Sequence, residues 1–294
     1  MSDPLAQVFG RAAEDYERGR PDSPAEALDL VTEELGLEPS AQVVDLAAGT
    51  GKLTRILAQR FARVVPVEPD DGMRALISGA EPLAGTAEEI PLPDASADAV
   101  FCGEAFHWFD GVVALDEIAR VLRPRGGLAL MWNRWDFEPE LPKALYARLG
   151  AIYERAGRPG GPRYESGEWR KAFPMSRFEP LHERTLSRIV EDVGRDRVVS
   201  LWLSVSSVAS LPGEERRELA AYLRSELEPV YRMPVTTDAT GRVVATRSYP
   251  WPGPSSLPWP PWPPWSSPVV VSPATGAERP TPKRATIIEL CGSQ

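Results

Sequence analysis

The segment VVDLAAGTGKLT, residues 43–54, constrains the fold and function of this chain more than any other. A short apolar run, residues 43–46, leads into a loop of small residues, and a helical pattern starts at Leu53. Gly49 and Gly51 let the backbone of this loop approach a ligand closely, because glycine has no Cβ. In an open α/β sheet, the loop after the first strand lies at the carboxyl edge, where ligands bind. The segment therefore predicts a ligand site at this loop.

Strand-like and helix-like segments alternate along the first half of the chain. The strands are short and almost continuously apolar, which indicates a parallel sheet covered by helices on both faces. The predicted strands are VVDL (43–46), VVPVE (64–68), DAVFC (98–102) and GLALMW (127–132). The predicted helices are LTRILAQRF (53–61), a helix beginning near Asp71 that Asp70 or Asp71 caps, and VALDEIARVL (113–122), which Pro124 and Gly126-Gly127 stop.

The second half of the chain is less regular. Helical patterns cover residues 138–157 and 213–228, and RVVATR (242–247) is the predicted last strand. The segment 135–240 is rich in aromatic side chains and predicts a lid over a small-molecule pocket. These side chains are Trp135, Phe137, Tyr146, Tyr153, Trp169, Phe173 and Trp202. The predicted organisation is a helical lead-in (1–40), an α/β core (41–134), a lid insertion with the closing strands of the same domain (135–248), and a tail (249–294).

The tail has an unusual composition. Residues 250–268 contain nine prolines and four tryptophans, without a helical or strand period. Proline lacks the N–H that a ladder needs and fixes φ, so we expect an extended or disordered tail. It could be a polyproline ligand for a partner domain, an unselected extension or a reading-frame artefact.

Charge and composition exclude several function classes. The net charge of −9 argues against sequence-independent binding to nucleic acid. The sequence contains no apolar run long enough to span a membrane, and its first residues lack the apolar region of a secretory signal. Cys102 and Cys291 have no partner at metal-ligand spacing, so we expect no metal site. These features predict a soluble, cytoplasmic protein.

Three kinds of ligand loop compete for residues 45–54. A phosphate-binding P-loop requires G-x-x-x-x-G-K-[ST], but Leu46 stands at its first glycine and Leu53 follows the lysine. A dinucleotide fingerprint requires G-x-G-x-x-G, and Thr54 occupies the third glycine position. The third kind is the loop of a methyltransferase.

DLAAGTGKLT resembles motif I of the class I S-adenosylmethionine-dependent methyltransferases, D/E-x-G-x-G-x-G, with Ala47 at the first glycine. VVPVEPDDGM, AGTAEEIPLPDASADAVFCGEAFHWFD and ALDEIARVLRPRGGLALMWN resemble the later motifs in order, and YERGRP resembles a common lead-in. The resemblance is close over residues 8–134 and looser over 178–248. HWF is most similar to the small-molecule branch that includes trans-aconitate-methyltransferase-like and ubiquinone/menaquinone-biosynthesis-like enzymes.

This resemblance implies a fold, a cofactor and a reaction. The implied fold is Rossmann-like, with a mostly parallel seven-stranded sheet and helices on both faces. The implied cofactor is S-adenosylmethionine, and the reaction is in-line methyl transfer to a small molecule. We expect an acceptor with a carboxylate, or secondarily a hydroxyl, and neither a nucleic acid nor a membrane partner. The oligomeric state stays open.

The resemblance also assigns residues to the cofactor. Asp45 would fix the loop and the methionine end of the cofactor. Glu68, 17 residues after Gly51, would accept hydrogen bonds from both ribose hydroxyls. Met73 would pack on the adenine face. The same set includes Ala47, Gly49, Thr50, Gly51 and Pro69.

Two further groups complete the implied cofactor site. Thr86 stands where the family often has an aspartate for the adenine amino group, so the Ala87 backbone or Glu88 could share that contact. Tyr16 and Arg20 match lead-in positions that can close over the cofactor, and Arg20 could bind its carboxylate.

The acceptor side is assigned less directly. The aromatic residues 106–109 could stabilise a sulfonium by cation–π attraction. His107 and Glu104 are the candidate bases for a hydroxyl or amine acceptor. Trp108 and Arg134 are candidate substrate ligands, because a guanidinium at the ligand edge could hold a carboxylate.

Two other functions remain open at this point. A nicotinamide-dependent dehydrogenase would share the fold, although Thr54 and HWF count against it. A non-catalytic methyltransferase-like module could recruit a partner through its tail. The presence of Asp45, Gly49, Gly51 and Glu68 counts against such a degenerate module.

Overall fold

The computed structural model describes residues 12–135, 143–155, 164–176 and 178–244. Within these residues, one six-stranded sheet has the order β2-β1-β3-β4-β6-β5. The first four strands in that order are parallel, and β6 runs antiparallel to both of its neighbours. The strands are β1 (Gln42–Leu46), β2 (Arg63–Val67), β3 (Ala97–Gly103), β4 (Leu122–Trp135), β5 (Phe178–Gly194) and β6 (Val230–Val244).

Helices connect and flank these strands. They are α1 (Ala13–Gly19), α2 (Ala25–Glu34), α3 (Lys52–Leu57), α4 (Asp71–Arg74), α5 (Gly111–Val121), α6 (Lys143–Arg155), α7 (Arg195–Leu203), α8 (Ser206–Ala209) and α9 (Gly213–Glu226). Short 3₁₀ helices cover Phe106–Trp108, Tyr164–Ser166 and Glu168–Met175. Asp70 caps α4 as predicted, because its side chain accepts a hydrogen bond from the Met73 N–H.

The two faces of the sheet bury separate apolar clusters. Val44 and Leu46 on β1 belong to a cluster with α5, whereas Val43 belongs to a cluster with α2 and α3. Successive side chains of a strand point to opposite faces, so helices cover both sides of β1. The predicted parallel sheet with helices on both faces is confirmed.

The sheet departs from the expected seven strands at its β2 edge. Among the described residues, the place beside β2 holds only an isolated parallel bridge between Val67 and Leu83. The Leu83 N–H donates to the Pro66 carbonyl, and the Leu83 carbonyl accepts from the Glu68 N–H. Pro82 precedes this bridge and has no N–H to donate, which is one reason why the ladder does not extend there.

The closing strands differ from the sequence prediction. The last strand spans Val230–Val244, whereas the pattern placed it at 242–247. β5 pairs with it within the segment that the sequence assigned to a lid. Residues 183–190 of this strand alternate between exposed and half-buried positions and include several charges, so this stretch lacks the continuous apolar run of a central strand. The predicted tail, 249–294, lies outside the described residues.

The helices of the second half form an apolar cluster of their own. Leu145 of α6, Val198 of α7 and Leu223 of α9 are fully buried in it. α6 and α9 confirm the helical patterns at 138–157 and 213–228. The described helices are therefore packed together beside β5 and β6, with Val193 and Val235 from those strands in the same cluster.

Candidate functional site

The loop between β1 and α3 turns through left-handed backbone conformations. Gly49 and Gly51 have φ of 58° and 82°, and Ala47, at the first glycine position of the motif, has φ of 55°. A Cβ at Gly51 would lie 3.2 Å from the Ile77 Cα, so both the conformation and the close approach favour glycine there. Ala47 adopts the same region despite its Cβ, which costs conformational energy.

Glu68 joins the end of β2 to this loop. Its Oε2 accepts from the Gly49 N–H at 2.8 Å, and its Oε1 accepts from the Asp70 N–H at 2.9 Å. The residue is 5% exposed, and burial raises its pKa while the two N–H groups oppose that rise. Each carboxylate oxygen can accept a further hydrogen bond. The side chain is thus held in place and keeps acceptor capacity for a pair of hydroxyls.

Asp45 lies at the end of β1 and is buried. Its Oδ2 accepts from the Thr54 hydroxyl at 2.6 Å. Burial raises the pKa of Asp45 to about 7, although the Thr54 hydroxyl opposes the shift. A nearby cation would stabilise the ionised form and lower this pKa again.

An open cleft of about 510 Å³, counting its mouth, lies between the glycine loop, the ends of β3 and β4, and α1. The lining residues are Tyr16, Arg20, Pro21, Ser23, Asp45, Ala47, Ala48, Gly49, Lys52, Leu53, Gly103, Glu104, Asn133 and Trp135. The predicted residues Tyr16, Arg20, Asp45, Ala47, Gly49 and Glu104 thus share one cleft.

Arg20 is the central cation of the cleft wall. Its Nε donates to the Ser204 hydroxyl at 2.9 Å, and its guanidinium carbon lies 4.5 Å from the ring centroid of Trp135 and 5.3 Å from that of Tyr16. Burial raises the pKa of the Tyr16 phenol, and the Arg20 charge opposes this. A second guanidinium nitrogen donates to the Ser204 carbonyl at 3.4 Å, so two hydrogen bonds and two ring faces fix the orientation of Arg20.

Thr50 has a different placement from the other loop residues. It is fully buried, and its hydroxyl donates to the Glu17 carboxylate on α1. Arg55 pairs with the same carboxylate and donates to the Thr50 carbonyl. The Thr50 side chain therefore fastens α1 to the glycine loop, and only its backbone is left to contact a ligand.

The residues predicted for the adenine side make different contacts. Met73 is buried, and a Cβ at Gly49 would lie 3.7 Å from its sulfur. The Pro69 carbonyl accepts from Arg74. Thr86 accepts from the Glu89 N–H at 3.1 Å and forms a local turn.

The two residues that follow Thr86 are placed differently from each other. Ala87 is buried in the core cluster of the α5 face. Glu88 accepts from the Asp110 N–H at 3.0 Å, next to the start of α5. One carboxylate oxygen of Glu88 is therefore already engaged in a contact with the protein.

Glu104 and Asn133 meet at the carboxyl ends of β3 and β4. Glu104 has φ of 62°, and its Oε1 accepts from the Asn133 backbone N–H. The Asn133 Oδ1 in turn accepts from the Thr237 hydroxyl at 2.6 Å. Asn133 is a cleft residue not predicted from the sequence, although a polar residue directly after an apolar parallel strand is a usable signal.

His107 is fixed by a hydrogen bond from the core. The Trp132 Nε1 donates to the His107 Nδ1 at 3.1 Å, so the neutral ring carries its proton on Nε2. Burial, with a smaller effect of the Arg20 charge, lowers the pKa of His107 to about 4. The Trp108 ring lies 5.2 Å from the His107 ring. At neutral pH, His107 can therefore donate a hydrogen bond but has no lone pair available for a proton.

The other aromatic residues of this region pack in the core. Phe106 is 1% exposed and stacks on Phe173 at 5.4 Å, and its ring lies 6.2 Å from that of Trp169. Of the predicted lid aromatics, Trp135 lines the cleft. Phe137 and the side chains of Tyr146 and Tyr153 lie outside the described part of the structure.

Arg134 points away from the cleft. Its neighbours Asn133 and Trp135 both line the cleft, so the alternation along β4 places Arg134 on the opposite face. Its Nε donates to the Asp238 carboxylate at 3.0 Å. Tyr164 donates to the same carboxylate at 2.6 Å. The expected guanidinium for a substrate is thus already paired within the protein.

Comparisons with known proteins agree with the fold and the loop. A family model described as a methyltransferase domain matches residues 44–130. An uncharacterized methyltransferase of Mycobacterium tuberculosis is 46% identical over 167 residues, which are 54% of this chain and 62% of the relative. An uncharacterized methyltransferase-like protein of Schizosaccharomyces pombe is 34% identical over 229 residues, 74% of this chain and 84% of the relative.

More distant matches include a solved structure. A protein of Anaeromyxobacter dehalogenans, proposed to be a type II methyltransferase, superposes with a TM-score of 0.54 at 26% identity, over 77% of this chain and 98% of that one. A malonyl-[acyl-carrier protein] O-methyltransferase of Methylococcus capsulatus is 36% identical over 101 residues, 31% of this chain and 37% of the relative.

The chain therefore belongs to the class I S-adenosylmethionine-dependent methyltransferases, whose methyl donor is S-adenosylmethionine. It spans about three fifths of the length of the mycobacterial relative, 62%. No helix in the described ranges is both long and apolar enough to cross a bilayer.

Proposed function

We propose that this protein transfers a methyl group from S-adenosylmethionine to a small-molecule acceptor. The observation that carries the proposal is Glu68, a buried carboxylate that two backbone N–H groups hold at the end of β2, beside the glycine loop. A carboxylate in this position suits a ribose diol, because each of its oxygens can accept from one hydroxyl.

The charges of the cleft complement such a cofactor. S-adenosylmethionine carries a sulfonium, an ammonium and a carboxylate. Asp45 and Glu104 line the cleft and would attract its cationic groups, while Arg20 would bind its carboxylate. The buried Met73 and the turn at Thr86 would flank the adenine. The residues present therefore fit the group that the family binds.

The protein would contribute the orientation of the two reactants. When bound, the cofactor supplies an activated methyl group for an in-line displacement. Arg20, Tyr16 and Trp135 would cover the reacting region from the α1 side. His107 would serve as a hydrogen-bond donor rather than a base, because Trp132 occupies its free lone pair. Glu104 remains the candidate base in the cleft.

We propose a carboxylate as the first acceptor class and a hydroxyl as the second. A carboxylate is already ionised at neutral pH and needs no base. The distant Methylococcus relative is named a malonyl-[acyl-carrier protein] O-methyltransferase. Arg134 is paired with Asp238 on the other face of β4 and would not contact this acceptor.

Calorimetry separates this function from its competitors. We expect the purified protein to bind S-adenosylmethionine and its demethylated product, S-adenosylhomocysteine, but neither NAD nor NADP. Binding of NAD in preference to S-adenosylmethionine would favour a dehydrogenase. Binding of S-adenosylmethionine without methyl transfer to any compound of a metabolite library would favour a non-catalytic module.

A further inference from the structure

Asn133 presents one half of its amide to the cleft. The residue is 7% exposed and lines the cleft at the carboxyl end of β4. Its backbone N–H donates to Glu104, and its Oδ1 accepts from the Thr237 hydroxyl. The amide oxygen is thus engaged with the protein, while the described residues supply no hydrogen-bond acceptor for Nδ2. The amide therefore offers N–H groups to a ligand.

Thr237 fixes this orientation from the neighbouring strand. Asn133 and Thr237 are directly paired in the antiparallel register of β4 and β6. Thr237 is completely buried, and its hydroxyl lies 2.6 Å from the Asn133 Oδ1. With the amide oxygen on the Thr237 hydroxyl, Nδ2 lies on the side of the amide away from Thr237.

An N–H donor at this position has few possible partners. It would repel the sulfonium and the ammonium of the cofactor, for which Asp45 and Glu104 are available. The cofactor carboxylate has Arg20, a charged and better donor. An oxygen of the methyl acceptor is the remaining partner for the Asn133 amide.

We propose that Asn133 holds one oxygen of a carboxylate acceptor through Nδ2, with Thr237 as the residue that positions the amide. This inference rests on the proposed methyltransferase function and specifies its substrate class. The second carboxylate oxygen then attacks the methyl carbon, the bond from that carbon to sulfur breaks, and the products are a methyl ester and neutral S-adenosylhomocysteine. No proton moves, so the reaction needs no base. The N–H groups of an amine acceptor would instead face the N–H groups of Asn133, a donor opposite a donor.

Two substitutions at Thr237 and one at Asn133 test this role. Thr237→Val removes the hydroxyl but retains the shape, whereas Thr237→Ser retains the hydroxyl. Asn133→Asp replaces the donor with an anion that repels a carboxylate. We expect Thr237→Val to raise the acceptor KM about tenfold, Thr237→Ser to stay near wild type, and Asn133→Asp to lower kcat/KM about 100-fold or more. The dissociation constant of S-adenosylhomocysteine should change less than about threefold in all three variants.

The assay follows methyl transfer from radiolabelled S-adenosylmethionine to straight-chain monocarboxylic and dicarboxylic acids, with alcohols and amines of matched length. Ester formation from acids, together with a KM effect of Thr237→Val that Thr237→Ser restores, supports the inference. The inference is overturned if the protein methylates only amines or alcohols, if it methylates no acid, or if Thr237→Val leaves the acceptor KM unchanged. If S-adenosylhomocysteine binds normally in those cases, the proposed function survives. If the wild-type protein does not bind S-adenosylhomocysteine, both the inference and the proposed function fail.

Discussion

Ala47→Gly should stabilise the protein, although glycine usually destabilises a fold. Ala47 has φ of 55° and is only partly buried. A left-handed conformation costs a residue with a Cβ about 1–2 kcal/mol. Glycine avoids that cost but loses about 0.5–1 kcal/mol more chain entropy on folding. The free energy of unfolding should therefore rise by about 0.5–1 kcal/mol, which shifts Tm by about 1–4 °C in a domain of this size.

The adjacent alanine provides the matched control. Ala48 is 8% exposed, and it is not among the residues with positive φ. Ala48→Gly gains no relief from strain and loses a buried methyl group as well as chain entropy, so it should destabilise by about 1–2 kcal/mol. Thermal and urea unfolding of both variants measure the two values. If Ala47→Gly destabilises as much as Ala48→Gly, the argument from backbone strain is refuted.

Three further predictions concern α1, Asp45 and His107. Gly19→Ala would place a Cβ 2.2 Å from the Leu201 backbone nitrogen, so it should destabilise by about 1–3 kcal/mol and weaken cofactor binding. Gly150→Ala on α6, with no atom within 4 Å of the new Cβ, should not destabilise. Burial raises the pKa of Asp45 to about 7, so this carboxylate becomes protonated as the pH falls from 8 to 6, and the affinity for the cationic cofactor should fall about tenfold. The affinity of Asp45→Asn, measured by calorimetry, should not depend on pH in this range. Folding lowers the pKa of His107 from 6.5 to about 4. The destabilising effect of His107 on the fold should therefore grow as the pH falls from 6.5 towards 4. An NMR titration that shows an ordinary pKa for this ring would contradict the buried contact with Trp132.

Local signals were sufficient to predict the first half of the fold. The strand predicted at 43–46 is part of β1, because a central parallel strand buried on both faces has a continuous apolar sequence. The loop was predictable because Gly49 and Gly51 occupy positive φ. The resemblance of VVPVEPDDGM to a later family motif pointed to Glu68, and the hydrogen bond from Gly49 shows how its carboxylate reaches the loop.

Other features depend on contacts between distant parts of the chain. Asn133 and Thr237 are separated by 104 residues, and only the register of β4 and β6 brings them together. The acceptor role of the His107 Nδ1 follows from Trp132, a residue that sequence analysis could place on a strand but not beside a ring. Arg134 looked suitable for a substrate until Asp238 on β6 proved to be its partner. Such pairings have no local sequence signal.

The most direct test of the account is the affinity of S-adenosylhomocysteine for Glu68→Ala, measured by calorimetry beside wild type and Glu33→Ala. Glu33 is an exposed residue of α2 and serves as the control for loss of one carboxylate. Removal of an ionised partner of the ribose hydroxyls should weaken binding by about 1–3 kcal/mol, or roughly 5–150-fold, while Glu33→Ala should bind as wild type does. Thermal unfolding should confirm that both variants are folded. Equal affinity in wild type and a folded Glu68→Ala would contradict the assignment of the cofactor site, and no binding by wild type would contradict the function itself.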